Sequence, residues 1–282
     1  MKRIWIASAA FASLLIVTNA SAADLPAYTK APVVAAVYDW TGLYIGTNLG
    51  YSWGRGSTDG NVTGTRTVTS AGAPTTVTPL SGLLSGRADV NGFIGGAQLG
   101  HNWQRGTWLY GLEGDIQFSN ERGSGDVVCT LGVPVCPTFT RDYKLDWFGT
   151  ARGRVGFLPA ERLLLYVTGG LAYGNFSGSS VTGPSVTLPP LDIGTWSSLR
   201  AGWTVGAGVE AALGYNWSVK FEYLYMDLGH VGGSSAISTT PVVPVVPGTN
   251  TTLSYVFNTR FTDSIARVGL NYHFSGPVVA RY

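Results

Sequence analysis

The chain has 282 residues, of which only 12% are charged, about half the share of roughly 25% that is usual in soluble domains. Its net charge of +2 provides no concentrated basic patch, so no nucleic-acid partner is expected. Aromatic residues reach 12% and 39 residues are glycine, yet beyond the N-terminus no apolar run approaches the roughly 18 residues of a transmembrane helix. Together these features favour an all-β protein.

The N-terminus has the composition of an export signal. Lys2 and Arg3 precede the apolar run IWIASAAFASLLIV, and small residues follow in TNASAAD. Cleavage fits after Ala22 or after Ala23, and we take residues 1–22 as a cleaved signal peptide. An uncleaved membrane anchor is the alternative, although the apolar run is short for a span. The mature chain is therefore expected to be exported from the cytoplasm.

The remaining chain divides into a proline-containing periplasmic lead-in at 23–38, a barrel domain at 39–274 and a tail at 275–282. Within the barrel domain eight segments alternate between apolar and polar residues. With lengths of about 13 residues they exceed the strands of about 5–6 residues that are common in soluble proteins, and they match tilted strands that span a bilayer. The predicted strands run approximately over 40–53, 88–102, 107–119, 143–156, 163–176, 200–213, 216–228 and 262–274.

The connections between these segments alternate between long and short. Long connections rich in Gly, Ser, Thr and Pro fall near 54–87, 120–142, 177–199 and 229–261, and short ones fall at NWQRG, LPAER and GYN. This alternation is typical of an up-and-down barrel whose long loops all lie on one side of a membrane. Structureless connections of this length would be unusual inside a compact soluble domain.

The two faces of the predicted strands differ sharply. One face carries no charged residue and is dominated by large apolar side chains, among them Leu49, Phe93, Leu145, Trp203 and Phe221. The other face is rich in glycine and collects six acids and six bases: Glu113, Asp115, Asp146, Glu210, Glu222, Asp263, Lys144, Arg152, Arg154, Arg200, Lys220 and Arg267.

The apolar face is expected to contact lipid and the charged face to line the lumen. A soluble sandwich or a secreted binding barrel would reverse this arrangement. However, an eight-stranded barrel is only just wide enough for side chains and could not hold so many large aromatic rings. A base at the lipid-facing midplane would cost about 2–4 kcal/mol. The predicted fold is an eight-stranded antiparallel up-and-down transmembrane β-barrel with long extracellular loops and short periplasmic turns, located in a bacterial outer membrane.

The chemistry-bearing residues are few. Cys129 and Cys136 in CTLGVPVC are expected to form a disulfide in an oxidising compartment, since two thiolates without a nearby histidine make a poor metal site. The three histidines, His101, His230 and His273, are far apart along the predicted barrel. No catalytic signature appears, so neither a cofactor nor a metal is expected and an enzyme is disfavoured, although a spatially assembled triad stays open.

The last predicted strand ends in RVGLNYHF. Its Gly269, Tyr272 and Phe274 resemble the C-terminal signal of outer-membrane barrels, which implies the barrel-assembly machinery as a partner during insertion. The segments YDWTGLYIGTNLGYSWG, GFIGGAQLGHNWQ, YVTGGLAYG and KFEYLYMDLG resemble the small outer-membrane barrels of rhizobia, brucellae and related alphaproteobacteria, often described as porin-like or immunogenic. The tail SGPVVARY after Phe274 departs from the usual end of the signal.

The expected role is structural, with contributions to envelope integrity and surface presentation. Six lumenal acids against six bases favour a lumen plugged by paired charges. The alternative is a porin-like channel for passive diffusion of small solutes, which would need an open lumen. Beyond outer-membrane lipid, the expected partners are host or envelope molecules that contact the long loops.

Overall fold

The structure is a computed structural model that describes residues 38–70, 72–131, 139–182, 192–214, 216–239 and 248–274. No helix in these ranges is long and apolar enough to cross a membrane. The predicted signal peptide, the tail and all of the lead-in except Tyr38 lie outside the described residues. Eight strands fill most of the ranges: β1 (Gly42–Val68), β2 (Thr76–Arg105), β3 (Trp108–Leu131), β4 (Phe139–Ala160), β5 (Leu163–Thr182), β6 (Asp192–Gly214), β7 (Trp217–Thr239) and β8 (Thr249–His273).

The strands form one closed barrel in which each strand pairs antiparallel with its neighbours in chain order. Closure joins β1 to β8 from Tyr44↔His273 to Val68↔Thr249. Two-residue connections link β2 to β3, β4 to β5 and β6 to β7 at one end, called the turn end below. In the first of these turns Gly106 has a φ of 61°, a left-handed conformation that glycine adopts without a Cβ clash. The opposite end is called the outer end. The predicted eight-stranded up-and-down barrel is confirmed.

The strands extend much farther towards the outer end than predicted, and they are 20 to 30 residues long. The stretch 54–87, predicted as a loop, instead continues the β1–β2 hairpin as far as Val68↔Thr76. Once the first residues of a hairpin are paired, the next ones already lie opposite each other, and the Thr and Val residues here suit a pleated backbone. The long connections are therefore largely extensions of the barrel wall.

The large apolar side chains near the turn end point outward. Phe221 is 52% exposed and Trp203 is 47% exposed, as predicted for a lipid-facing band. In contrast Glu222 and Arg152 are buried inside the barrel, with 1% and 3% of their surface exposed. In a soluble barrel the burial of these two classes of side chain would be reversed.

The prediction is wrong for the facing of one stretch of β4. The pairing of β4 shifts by one residue on both sides between Leu145 and Trp147: against β5 the extra residue is Asp146, which forms a β-bulge, whereas against β3 the extra residue lies in β3. Because side chains alternate with a period of two, the bulge inverts the facing of every residue on its outer side. Leu145, predicted to face lipid, is fully buried in the lumen, and Lys144, predicted to be lumenal, faces outward.

Candidate functional site in the barrel lumen

Side chains fill the lumen in successive layers, and β8 passes through nearly all of them. We distinguish a turn-end cap, an ionic layer, an inner apolar layer and an outer apolar layer. From the turn end outward, the buried residues of β8 are His273, Asn271, Gly269, Arg267, Ile265, Asp263, Phe261, Thr259, Tyr255 and Leu253.

The turn-end cap is an apolar cluster closed by the residues that precede β1. It consists of Tyr38, Trp40, Leu109, Leu158, Leu164 and Tyr166. Trp40 is fully buried, its backbone N–H donates to Gln104 Oε1 at 3.0 Å, and its indole Nε1–H donates to the Glu161 carbonyl at 3.1 Å. Its ring lies edge-on to that of His273, with centroids 5.6 Å apart. Trp40 therefore connects the end of β2, the β4–β5 turn and the end of β8 across the mouth of the barrel.

The ionic layer contains four acids and four bases, so its formal charges cancel: Glu113, Asp115, Glu210, Glu222, Arg152, Arg154, Lys220 and Arg267. The Arg152 guanidinium contacts three carboxylates, those of Glu113, Asp115 at 2.9 Å and Glu222 at 3.1 Å. Each of these acids has a second base, since Lys220 lies 2.9 Å from Glu113 and Arg267 contacts the other two. These eight predicted residues thus form one connected network across the lumen.

Neutral side chains that sequence reasoning missed complete this network. The hydroxyls of Tyr44 and Tyr166 donate to Glu113 at 2.6 Å and to Glu222 at 2.9 Å. A Cβ on Gly100 would lie 2.2 Å from the Tyr44 hydroxyl oxygen, so the ring reaches the centre only because glycine faces it. Asn102, Asn271 and Ser218 add hydrogen bonds to the layer on its turn-end side, and Thr150 and Gln117 add hydrogen bonds to Asp115 on its outer side. In the sequence, these residues could have been found as polar residues at inward-facing strand positions next to lumenal glycines.

Two apolar layers lie between the ionic layer and the outer end. The inner apolar layer is a buried cluster that includes Leu145, Phe148, Phe176, Leu224, Met226, Phe261 and Ile265. The rings of Phe176 and Phe261 meet across the lumen with centroids 4.5 Å apart. The outer apolar layer contains Val62, Leu80, Leu84, Val127, Leu253 and Tyr255. Burial in this second layer raises the pKa of the Tyr255 hydroxyl to about 12, so the ring stays neutral.

Four predicted network residues lie elsewhere. The bulge places Lys144 and Asp146 on the outer wall, where they pair with each other at 2.5 Å and are 43% and 38% exposed. Arg200 makes no ion pair among the described residues, and its guanidinium donates to Ser198 at 3.0 Å. Asp263 is buried in the lumen beyond the network and forms no ion pair within the described ranges.

Asp263 has a partner that the sequence did not reveal. Glu121, predicted to lie in a loop, is fully buried, and its carboxyl group interacts electrostatically with that of Asp263. Ser52 donates to Asp263, and Ser119 donates to Glu121 at 2.9 Å. One oxygen of each carboxylate has no hydrogen-bond partner in the described structure. The inner apolar layer therefore encloses two acids without a contacting base in the part of the chain described.

The remaining predicted sites are only partly described. Cys129 is not a free thiol, but Cys136 lies outside the described residues, so the pairing of the two stays a prediction. Gly269 faces the lumen opposite Lys220 in the β7–β8 register. Tyr272 packs edge-on against Phe274, with centroids 5.4 Å apart, on the outward side of the turn end. Their role as an assembly signal also stays a prediction.

Comparisons with known proteins identify the family. The family model described as "Outer membrane protein beta-barrel domain" matches residues 9–274. The "31 kDa outer-membrane immunogenic protein" of Brucella melitensis biotype 1 is 37% identical over 243 residues, which cover 81% of this chain and 88% of that protein. The "22 kDa outer membrane protein" of Rhizobium leguminosarum bv. viciae is 38% identical over 136 residues, 48% of this chain and 53% of that protein. Among solved structures, Ail of Yersinia pestis covers 78% of this chain and 99% of its own at 11% identity and a TM-score of 0.31. The resemblance predicted from the strand motifs is confirmed: this chain belongs to the outer-membrane β-barrel family, and it resides in the outer membrane.

Proposed function

We propose that this protein is a closed structural barrel of the cell envelope that presents its outer end at the cell surface. The observation that carries the proposal is the filling of the lumen at four successive levels, from the turn-end cap to the outer apolar layer. A solute passing through would have to displace Trp40, separate the Arg152 contacts and part the rings of Phe176 and Phe261.

The energetics of the ionic layer also argue against a diffusion pore. Breaking a buried ion pair by removing one partner commonly costs about 3–5 kcal/mol, because the other charge is left uncompensated. A channel that selects ions by charge would be lined by rings of one sign facing water. Here four acids and four bases neutralise one another and the side chains are buried, which supports a plug.

The surface role is supported by the barrel wall at the outer end. Because each strand continues 20 to 30 residues, the wall extends well beyond the lipid-facing band near the turn end. Related proteins in Brucella are named outer-membrane immunogenic proteins. By analogy we propose that the hairpins of the present chain are exposed at the cell surface. The contacts made there with host or envelope molecules form the second part of the proposal.

The proposal assigns no catalytic role to the one serine–histidine–acid group of the described lumen. Ser218 Oγ lies 2.9 Å from His273 Nε2, and Glu210 lies 3.5 Å from the same ring nitrogen. In a catalytic triad the acid and the serine contact opposite ring nitrogens, and the serine gives its proton to the imidazole. Here Ser218 donates to Glu210 at 2.5 Å, and all three side chains are buried behind Trp40. This arrangement supports a structural role for the group.

The test is conductance of the purified protein in planar bilayers. Insertion is verified beforehand by the difference in gel mobility between heated and unheated samples, and a known porin serves as the positive control. We expect no stepwise current from the wild-type protein and no swelling of sugar-loaded liposomes. Steady, reproducible steps of one amplitude would instead establish the porin-like alternative.

A further inference from the structure

The outer wall of the barrel carries an open recess just beyond the lipid-facing band. It has a volume of about 790 Å³ and spans β3 to β6, with Arg122, Ser124, Asp142, Lys144, Ser177, Ser179 and Ser197 lining its outward side. Its nearest large aromatic neighbours towards the turn end are Phe118, Trp147 and Tyr173. We call this concavity the outer-wall recess.

The height of the recess places it among lipid headgroups. Lys144 lies three residues beyond Trp147 towards the outer end. At about 3.3 Å per residue and a strand tilt of about 45°, this is roughly 7 Å farther from the membrane midplane than the aromatic row. Aromatic rows of outer-membrane barrels lie at the membrane interface, so a group that enters the recess comes from the headgroup region of the outer leaflet.

The recess and its edge hold two bases, Arg122 and Lys144, and two acids, Asp142 and Asp146, of which only Lys144 and Asp146 form an ion pair among the described residues. Arg122 and Lys144 are direct cross-strand partners, an arrangement that is unfavourable for like charges. Lys144 is paired with Asp146, and Asp142 accepts a hydrogen bond from Ser179 at 3.3 Å. Arg122 is exposed and has neither an ion pair nor a hydrogen bond within the described ranges. A planar guanidinium with free N–H groups next to an ammonium is a good receptor for a phosphate.

The bulge in β4 is what creates this pairing. Without the extra residue at Asp146, strict alternation would turn Lys144 into the lumen, as the sequence predicted. Bulges commonly re-aim side chains, and here the side chain is aimed at the outward face next to Arg122. Two serines, Ser177 and Ser197, line the far side of the recess, where their hydroxyls donate to the Lys144 carbonyl at 3.5 Å and to Asn175 Oδ1 at 3.0 Å.

We propose that the outer-wall recess binds the phosphate of a lipid headgroup in the outer leaflet, with Arg122 and Lys144 as its ligands. The site lies on the outer wall, so it exists whether or not the lumen conducts. Failure to bind the phosphate lipid would therefore leave the closed-barrel proposal intact, and observed conductance would leave the lipid-binding proposal intact.

The experiment measures lipid binding to the full mature chain in detergent by native mass spectrometry. The probes are a diacyl lipid with a phosphomonoester headgroup and a diacylglycerol with the same acyl chains. We expect the wild-type protein to hold the phosphate lipid, and the double variant Arg122→Ala, Lys144→Ala to bind it about tenfold more weakly. The control is Arg55→Ala, which removes another exposed arginine that is already paired with Asp89 at 3.2 Å, and it should bind like the wild type.

Three results would overturn the proposal. The first is equal affinity of the double variant and the wild type for the phosphate lipid. The second is equal retention of the neutral lipid by the wild type. The third is displacement of the lipid by glycerol phosphate at equal concentration, which would make a soluble phosphate the ligand. If the double variant shows no folded species by gel mobility, Arg122→Gln alone replaces it, with the same expected direction.

Discussion

Replacing Arg152 with alanine is the most direct perturbation of the ionic layer. The guanidinium has no exposed surface and contacts Glu113, Asp115 and Glu222. Its removal changes the balance from four acids and four bases to four acids and three bases. Removal of one partner from a buried pair costs about 3–5 kcal/mol, and we expect the lower value of about 3 kcal/mol, because Lys220 and Arg267 still contact these acids.

The assay is urea unfolding in detergent, followed by tryptophan fluorescence and by the loss of the faster-migrating folded species on a gel. The control is Arg55→Ala, because the exposed Arg55–Asp89 pair should contribute at most about 1 kcal/mol. We expect Arg152→Ala to unfold at a clearly lower urea concentration than this control. If the two variants unfolded at the same concentration as the wild type, Arg152 would not hold the lumenal acids together.

Three further predictions concern other parts of the lumen. Trp40→Ala should lower the free energy of unfolding by about 3–5 kcal/mol, because the ring is fully buried in the turn-end cap; the outward-facing Trp103→Ala should cost less in the same urea titration, and equal losses would contradict the cap. Asp263→Asn should raise the free energy of unfolding at pH 8 by about 1–2 kcal/mol, since it removes a buried carboxylate without a contacting base in the described structure; a lower urea midpoint would count against this. In the folded protein a polar maleimide should label Lys144→Cys quickly and Leu145→Cys hardly at all. Faster labelling of Leu145→Cys than of Lys144→Cys would contradict the facing that the bulge gives these two residues.

Much of the architecture could be predicted because the outward-facing residues of the lipid-facing band must be uncharged and mostly apolar. Lys220 and Glu222 alternate with Phe221 and Tyr223, and only an inverted barrel buries the first pair and exposes the second to lipid. The same alternation located eight strands near the turn end. It also identified the eight residues that meet in the ionic layer, since their inward facing followed from position alone.

The outer halves of the strands could not be predicted for a related reason. Beyond the band the outer face meets water, so polar residues are tolerated on both faces and the alternation fades. Ser, Thr and Gly dominate these stretches, and their pairing is inherited from the neighbouring part of the hairpin. Glu121 was assigned to a loop on this account, although the fold buries it completely.

By itself the sequence determined which face of the strands meets lipid near the turn end, because charged side chains are too costly there. It thereby determined the strand number, the membrane location and the set of charges available to the lumen. Only the tertiary structure decided which charges meet, since contacts such as Arg152 with Glu222 depend on the registers of several strands. It also decided the facing of Lys144, because the β-bulge at Asp146 inverts the alternation of β4 beyond it. The alternating pattern of the sequence does not show where such a bulge occurs.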